Sequence, residues 1–328
     1  MLLSINMVGI SFVGADVGGF FGAVEAELMT RWVQAGAYQP FFRSHAHHDS
    51  PRREPWLFGE ETADRLRSVT IDRYQLLPFW YTTFESSSRS GMPVMRMLWQ
   101  VQLFAESEDE RYYAVDDQWM IGEDLLVKPV VAPGVEEIDV LFPSECDWFD
   151  TTSLEKVDVG GGVGGLVRVS APIDKIPVYQ RGGSIIPKKM RLRRSSALME
   201  KDPYTLFVAL DEHGASRGTL YLDDGVSFDY KGEGAGEGER GKFARREFVM
   251  KDGELGNSRL GEGGEEEGLE KPWIERVVLM GVKRKYTNVK LGGVDLEFSC
   301  SEGDEGICVL KMPGVAVLSD WTISFSES

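Results

Sequence analysis

"SFVGADVGGFF", Ser11 to Phe21, runs an apolar stretch into an acid and follows it at once with glycines and aromatics. Its neighbours decide how it is read. "MVGISFVGAD", Met7 to Asp16, has the composition of a short buried strand. "AVEAELMTRWVQAG", Ala23 to Gly36, places Val24, Leu28 and Trp32 at i, i+4 and i+8 and predicts a helix with Gly36 as its C-cap. "AYQPFFRSHA" then predicts a second short strand ending at His45. Strand, helix and strand with short connections make a βαβ unit, so the strands are parallel and their C-terminal ends share one edge. Asp16 and His45 are thereby expected just past strand ends, where α/β folds build their sites.

A longer helix is expected from about Thr62 to Ser88, with a stripe of Leu66, Val69, Arg73, Leu77, Trp80 and Phe84, a kink at Pro78 and a stop at Gly91. After Met92 the texture changes. "EIDVLFP", "LVRVSAP", "YTLFVAL", "GTLYLDDG", "WIERVVLMGV" and "WTISFS" are among a series of short apolar runs cut by Gly, Pro and Asp, the spacing of β-sandwiches. "RGGSIIPKKMRLRRSS" reads as the join between two of them. The expected domains are therefore 1–92, an α/β portion, then β-sandwiches over 93–190 and 191–328. The Gly-Glu tracts "KGEGAGEGERGK" and "KDGELGNSRLGEGGEEEGLEK" read as hairpin tips or disordered loops.

Composition excludes several classes. With 328 residues and 42% hydrophobic content the chain has enough material for more than one core. A net charge of −17 repels phosphate backbones and anionic lipid, which argues against nucleic-acid and membrane-surface roles. No apolar run reaches the roughly 18 residues of a membrane span. "MLLSINMVGISFVG" lacks a basic leader and a small-residue cleavage site, so it is read as core rather than signal peptide. The three cysteines, Cys146, Cys300 and Cys308, are an odd count. Cys300 and Cys308 could face each other across a turn at "SEGDEGI", but two free buried thiols are the preferred reading.

"HAHHD", His45 to Asp49, invites a metal, yet no second carboxylate and no cysteine cluster nearby completes a coordination sphere, so it is read as a polar loop. The G-x-G-x-x-G matches at Gly160, Gly162, Gly165 and at Gly236, Gly238, Gly241 open no helix after a strand and are loop glycines. No G-x-S-x-G elbow is present. Asp16 has two readings, a helix N-cap or turn acid and a ligand for sugar hydroxyls. A carboxylate accepts hydrogen bonds from vicinal hydroxyls, glycines allow close backbone approach, and Phe20 offers an apolar face to a pyranose ring. The His45 imidazole adds a partner for a further hydroxyl.

"GADVGGFF", "WVQAGAYQPFFRSHAHHDSPRREPWLF", "RYQLLPFWYTTF", "GMPVMRMLW", "IPVYQRGGSIIP" and "LYLDDGVSFDY" closely resemble the C-terminal half of glycoside hydrolase family 31, over nearly the whole chain. The resemblance implies the C-terminal part of a (β/α)8 barrel, its last two βα units, followed by proximal and distal β-sandwiches. It also implies an alpha-glucosidase that trims glucose from N-linked glycans in the endoplasmic reticulum lumen beside a regulatory beta subunit, without metal or other cofactor. By the family motifs, Asp16 and His45 bind the glucose of the −1 subsite and Phe20 is its aromatic wall.

One departure limits the expected activity. Family members carry a nucleophile aspartate in a W-N-D-M-N-E-type motif and an acid/base aspartate in a G-D-N-type motif, and this chain contains neither; "EGDEG" lies in the distal β region. Retaining hydrolysis needs two carboxylates about 5–5.5 Å apart, and Asp16 cannot be both. A whole barrel takes about 250 residues, far more than precede the β region. The expectation is a piece of an alpha-glucosidase, inactive alone. A chain of a split enzyme and an inactive sugar-binding or structural β-sandwich protein are the competing readings.

Overall fold

The computed structural model describes residues 1–327 except 106, 108, 160–164, 233–240, 262–263 and 302–305. "EGDEG" and both G-x-G-x-x-G matches lie wholly or partly outside the described residues. The chain divides into two compact units. The first comprises Met1–Tyr74, Ser86–Thr152 and Val157–Arg181, the second Gln75–Glu85, Ser153–Lys156 and Gly182–Ser328.

The first unit opens on a short helix α1 (Leu2–Met7), then an irregular stretch to strand β1 (Asp16–Val17), helix α2 (Ala26–Ala37) and strand β2 (Arg43–Ser44). The expected strand–helix–strand order is present and the strands are parallel, with Asp16 opposite Arg43 and Val17 opposite Ser44. The strands are far shorter than expected. Met7 to Ala15 forms no strand, and Met7, Ile10 and Phe12 are exposed while Val13 is half-buried. A parallel ladder is slanted and weak unless flanked on both sides, and among the described residues β1 and β2 pair only with each other. Asp16 therefore opens a strand instead of following one.

Helix α2 also corrects the periodic reading. Its buried face is Met29, Val33, Gly36 and Ala37, whereas Leu28 of the expected stripe is exposed. Polar side chains share that face. The Arg31 guanidinium donates to the carbonyls of Val135, Ala171, Pro172 and Lys175 at 2.8–3.1 Å, and Gln34 Nε2 donates to Ile173 O at 2.8 Å. Gly36 is not the cap; Tyr38 is. Its missing side chain serves packing, because a Cβ there would press on Val17 of β1 and on the Phe42 ring. Arg73 fixes the chain after α2 by donating to the carbonyls of Ala37, Gln39 and Pro40 at 2.7–2.8 Å, and burial pushes its pKa down to about 10.

The expected long helix is two, α3 (Glu60–Gln75) and α4 (Leu77–Ser90). Pro78 has no N–H for the carbonyl of Tyr74, so the ladder breaks beside it. The Gly91 N–H caps Ser87 O at 2.9 Å with φ 76°, the left-handed stop glycine permits.

Beyond Met92 strands dominate. In the first unit a five-stranded antiparallel sheet runs Met95–Arg96, Trp119–Ile121, Leu125–Val127, Val178–Arg181, Trp148–Asp150. A separate pair, Glu137–Phe142 with Gly165–Ser170, shares one core with it: Met120, Leu126, Trp148 and Tyr179 from the sheet meet Val140 and Phe142 from the pair. Buried Gln118 fastens the pair, its amide donating to Leu141 O and accepting from Leu141 N–H.

The second unit is built on one eleven-stranded sheet. In spatial order its strands are Val294–Asp295, Asn288–Leu291, Trp321–Ser326, Glu254–Arg259, Ala244–Lys251, Ser216–Leu222, Ser184–Lys188, Tyr204–Ala209, Trp273–Val282, Gly306–Ala316 and Phe298–Cys300. Val289 and Phe325 from one end of that order and Cys308 and Leu310 from the other lie in a single core, so the sheet curls until its halves face each other. The second Gly-Glu tract begins as a hairpin between Ala244–Lys251 and Glu254–Arg259. Cys300 and Cys308 are disulfide-bonded, against the free-thiol reading, because antiparallel pairing sets them directly opposite, Cα atoms 4.0 Å apart. The start of α4 belongs to this unit. Thr82 Oγ1 accepts the buried Tyr221 N–H at 3.0 Å, and Asp223 accepts the hydroxyls of Tyr81 and Tyr221 at 2.8–2.9 Å.

Candidate functional site

The site grows from the two rungs of β1 and β2. Gly19 N–H donates to Asp16 O at 2.9 Å and Gly18 takes φ 93°, so residues 16–19 make a turn with a glycine where the left-handed region is required. A Cβ on Gly18 would also press on Met29 Sδ and Arg53 Nη1, so the position is closed twice to other residues. The turn throws Phe20 toward the loop that follows β2. There the His45 ring lies tilted against it, centroids 5.6 Å apart and planes 38° apart, and His47 meets it edge-on at 5.7 Å. The His47 N–H donates to Phe20 O at 2.8 Å and Ser50 Oγ donates to the same oxygen at 3.3 Å, stitching the two loops.

Asp16, Phe20 and His45 thus occupy one corner: Phe20 and His45 touch, and His45 follows Ser44, whose strand partner Val17 follows Asp16. The N-cap reading of Asp16 fails. Helix α2 starts only at Ala26, and its N-cap residue is Glu25. The Asp16 carboxylate instead accepts from Arg43 Nη2 at 3.0 Å. That pair is 32% and 51% exposed, a range in which ion pairs hold little energy, so a ligand's hydroxyls can compete for the carboxylate.

Arg43 and Arg53 were invisible to sequence reasoning. Strand register alone puts Arg43 opposite Asp16, and Arg53 meets carbonyls more than thirty residues earlier. Among the described residues one group of donors could hold a metal, His47, His48 and Asp49, whose ligand atoms lie within 4.8 Å of one another. They are consecutive residues of one turn, and His48 and Asp49 face solvent.

The segment that holds this corner has known relatives. Residues 1–83 match the model of the glycosyl hydrolases family 31 TIM-barrel domain, and residues 91–186 that of the glycosyl hydrolase family 31 C-terminal domain. Neutral alpha-glucosidase AB of Mus musculus is 43% identical over 330 residues, 98% of this chain and 33% of that protein. The crystal structure of a glucosidase II alpha subunit in its Glc1Man2-bound form superposes with a TM-score of 0.88 at 32% identity, covering 99% of this chain and 36% of that one. The catalytic subunit in a crystal structure of the ER glucosidase II heterodimer, which also holds the binding domain of the regulatory subunit, gives 0.87 at 33% identity, covering 99% and 35%. The chain spans about a third of the length of the curated relatives it matches. Barrel match, C-terminal match and a relative aligned along almost the whole of this chain agree: the chain belongs to glycosyl hydrolase family 31.

Proposed function

We propose that this chain supplies the glucose-binding flank of a retaining alpha-glucosidase site. Asp16 and His45 hold hydroxyls of the terminal glucose at the −1 position, and Phe20 walls its ring. The observation that carries the reading is the convergence of Phe20 and His45, 5.6 Å apart, beside the strand that presents Asp16, inside the segment matched to the family barrel. On this reading residues 1–92 are the last two βα units of the barrel, 93–190 the proximal and 191–328 the distal β-sandwich.

A carboxylate that accepts hydrogen bonds from sugar hydroxyls binds more tightly as those hydroxyls grow acidic in the oxocarbenium-like transition state. Asp16 then contributes to rate as well as to binding. On this reading the attacking and proton-donating carboxylates come from other sequence, because the family motifs that carry them do not occur in these residues. The substrate on this reading is a glucosylated N-glycan, in keeping with the Glc1Man2-bound neighbour, and the partner is a regulatory beta subunit, in keeping with the heterodimeric one. The Cys300–Cys308 bridge favours an oxidising compartment such as the endoplasmic reticulum lumen.

The test is a chimera in which this chain replaces the matching third of the mouse relative, assayed on a glucosyl-α-1,3-glucose. The chimera should turn over. Asp16→Asn should lower kcat/KM at least about tenfold, the rate equivalent of about 1.4 kcal/mol, with the melting temperature unchanged. This chain alone should give no turnover above a blank. An Asp16→Asn chimera that melts lower with kcat/KM intact would return Asp16 to a structural role.

A further inference from the structure

The loop that carries Phe20 is built from residues that do little to hold it. Gly18, Gly19 and Gly22 all have positive φ, at 93°, 78° and 73°, and Phe21 beside them is exposed. Glycine backbone of this kind loses more conformational freedom on ordering than any other. Yet a sugar wall must stand still, since a shift of about 1 Å in a positioned group is enough to lose most of its effect.

Arg53 supplies the missing rigidity. It comes from "SPRREPW", in the segment after β2, and is 7% exposed. Nη1 donates to Gly18 O at 3.0 Å and also to Gly19 O, and Nη2 donates to Gly22 O at 2.8 Å. Among the described residues the guanidinium has no carboxylate partner, and its buried Nε has no acceptor. A buried cation left without a counter-charge is costly, and three carbonyl dipoles aimed at it offset that cost. The arrangement demands arginine. Its planar fork reaches separate acceptors at once, whereas an ammonium is a single point on a flexible stem. Neighbouring Arg52 is different: it is exposed and pairs with Glu54 at 2.7 Å.

We infer that Arg53 is a positioning residue of the glucose subsite, acting through the backbone of Gly18–Gly22 to set Phe20 against His45 and to fix the turn that begins at Asp16. The inference rests on the glucosidase reading given above. Together with the His47 N–H on Phe20 O, it makes the loops after β1 and β2 one rigid body.

Hydrogen exchange on the 328-residue chain tests the clamp without any assay of activity. Arg53→Lys should speed amide exchange at least about tenfold in peptides spanning 11–25 and 41–55 and leave the five-stranded sheet as protected as before. Arg52→Ala should change neither. Should Arg53→Ala fail to fold, the lysine variant, which keeps charge and stem, still decides. The mouse chimera provides the second arm: Arg53→Lys should lower kcat/KM about tenfold, and adding it to Asp16→Asn should cost little more, because both act on one placement. Unchanged exchange in Arg53→Lys overturns the clamp. Faster exchange with full turnover in both single variants overturns the glucose reading instead, and fully additive losses overturn the coupling between Arg53 and Asp16.

Discussion

Asp16 shows how a side chain can be legible in chemistry and illegible in company. An acid among glycines beside an aromatic is open to two readings, a turn acid and a sugar ligand, and the structure brings His45 near Phe20 in the same corner. Its ion pair with Arg43 follows from a register that no local pattern announces. Likewise the acceptors of Arg53 lie 31 to 35 residues away in sequence, and a buried cation held by carbonyls leaves no charge pattern to find. The exposure of the Asp16–Arg43 pair has a consequence of its own. Arg43→Met should change unfolding free energy by no more than about 0.5 kcal/mol in denaturant titrations, the scale of an exposed ion pair. A larger loss would make Arg43 a structural residue.

Elements were readable where a covalent constraint or a strict period governs them. Gly91 ended the long helix as expected, Pro78 split it in two where a kink was expected, and the strands after Met92 show clean alternation, for example Ala244–Lys251. Elements were misread where burial decides. The run from Met7 to Ala15 has strand composition, but without flanking strands that preference finds no partner. In α2 the helical period was right and the face wrong, because Arg31 and Gln34 bury their polar ends on carbonyls of residues far along the chain. The start of α4 offers a sharp test of one such polar contact. Thr82 is buried and accepts the Tyr221 N–H, so Thr82→Val keeps the shape and orphans a donor. It should destabilise the second unit by about 1–3 kcal/mol in chemical denaturation, while Thr82→Ser should cost much less. Equal stability of the two variants would mean that water replaces the hydroxyl.

At the scale of the whole molecule the tyrosines report on packing together. Seven of the ten, Tyr38, Tyr81, Tyr112, Tyr179, Tyr204, Tyr221 and Tyr286, have pKa values raised first by burial, and for Tyr81 and Tyr221 next by their hydrogen bonds to Asp223. A phenol whose folded pKa is raised contributes stability that is complete below its ordinary value of about 10 and is lost as pH climbs toward the folded value. Native protein taken to pH 11 should therefore show phenolate absorbance from a minority of its tyrosines, and stability should fall steadily above pH 10. Complete ionisation of the native protein at that pH would contradict the burial described here. The eleven-stranded sheet carries a different whole-molecule property. Its outermost strands in space, Val294–Asp295 and Phe298–Cys300, are separated in the chain by only Leu296 and Glu297. Those two residues continue the bonding on either side, Leu296 N–H to Val289 O and Lys311 N–H to Glu297 O. The sheet is in effect a hoop with its clasp at residues 296–297, and the Cys300–Cys308 bridge rivets the strand beside the clasp. A foreign strand adds to a sheet by zipping onto a long free border, and the two strands flanking this clasp are only two and three residues long. Extensive though the sheet is, its clasped end is a poor seed for fibrils.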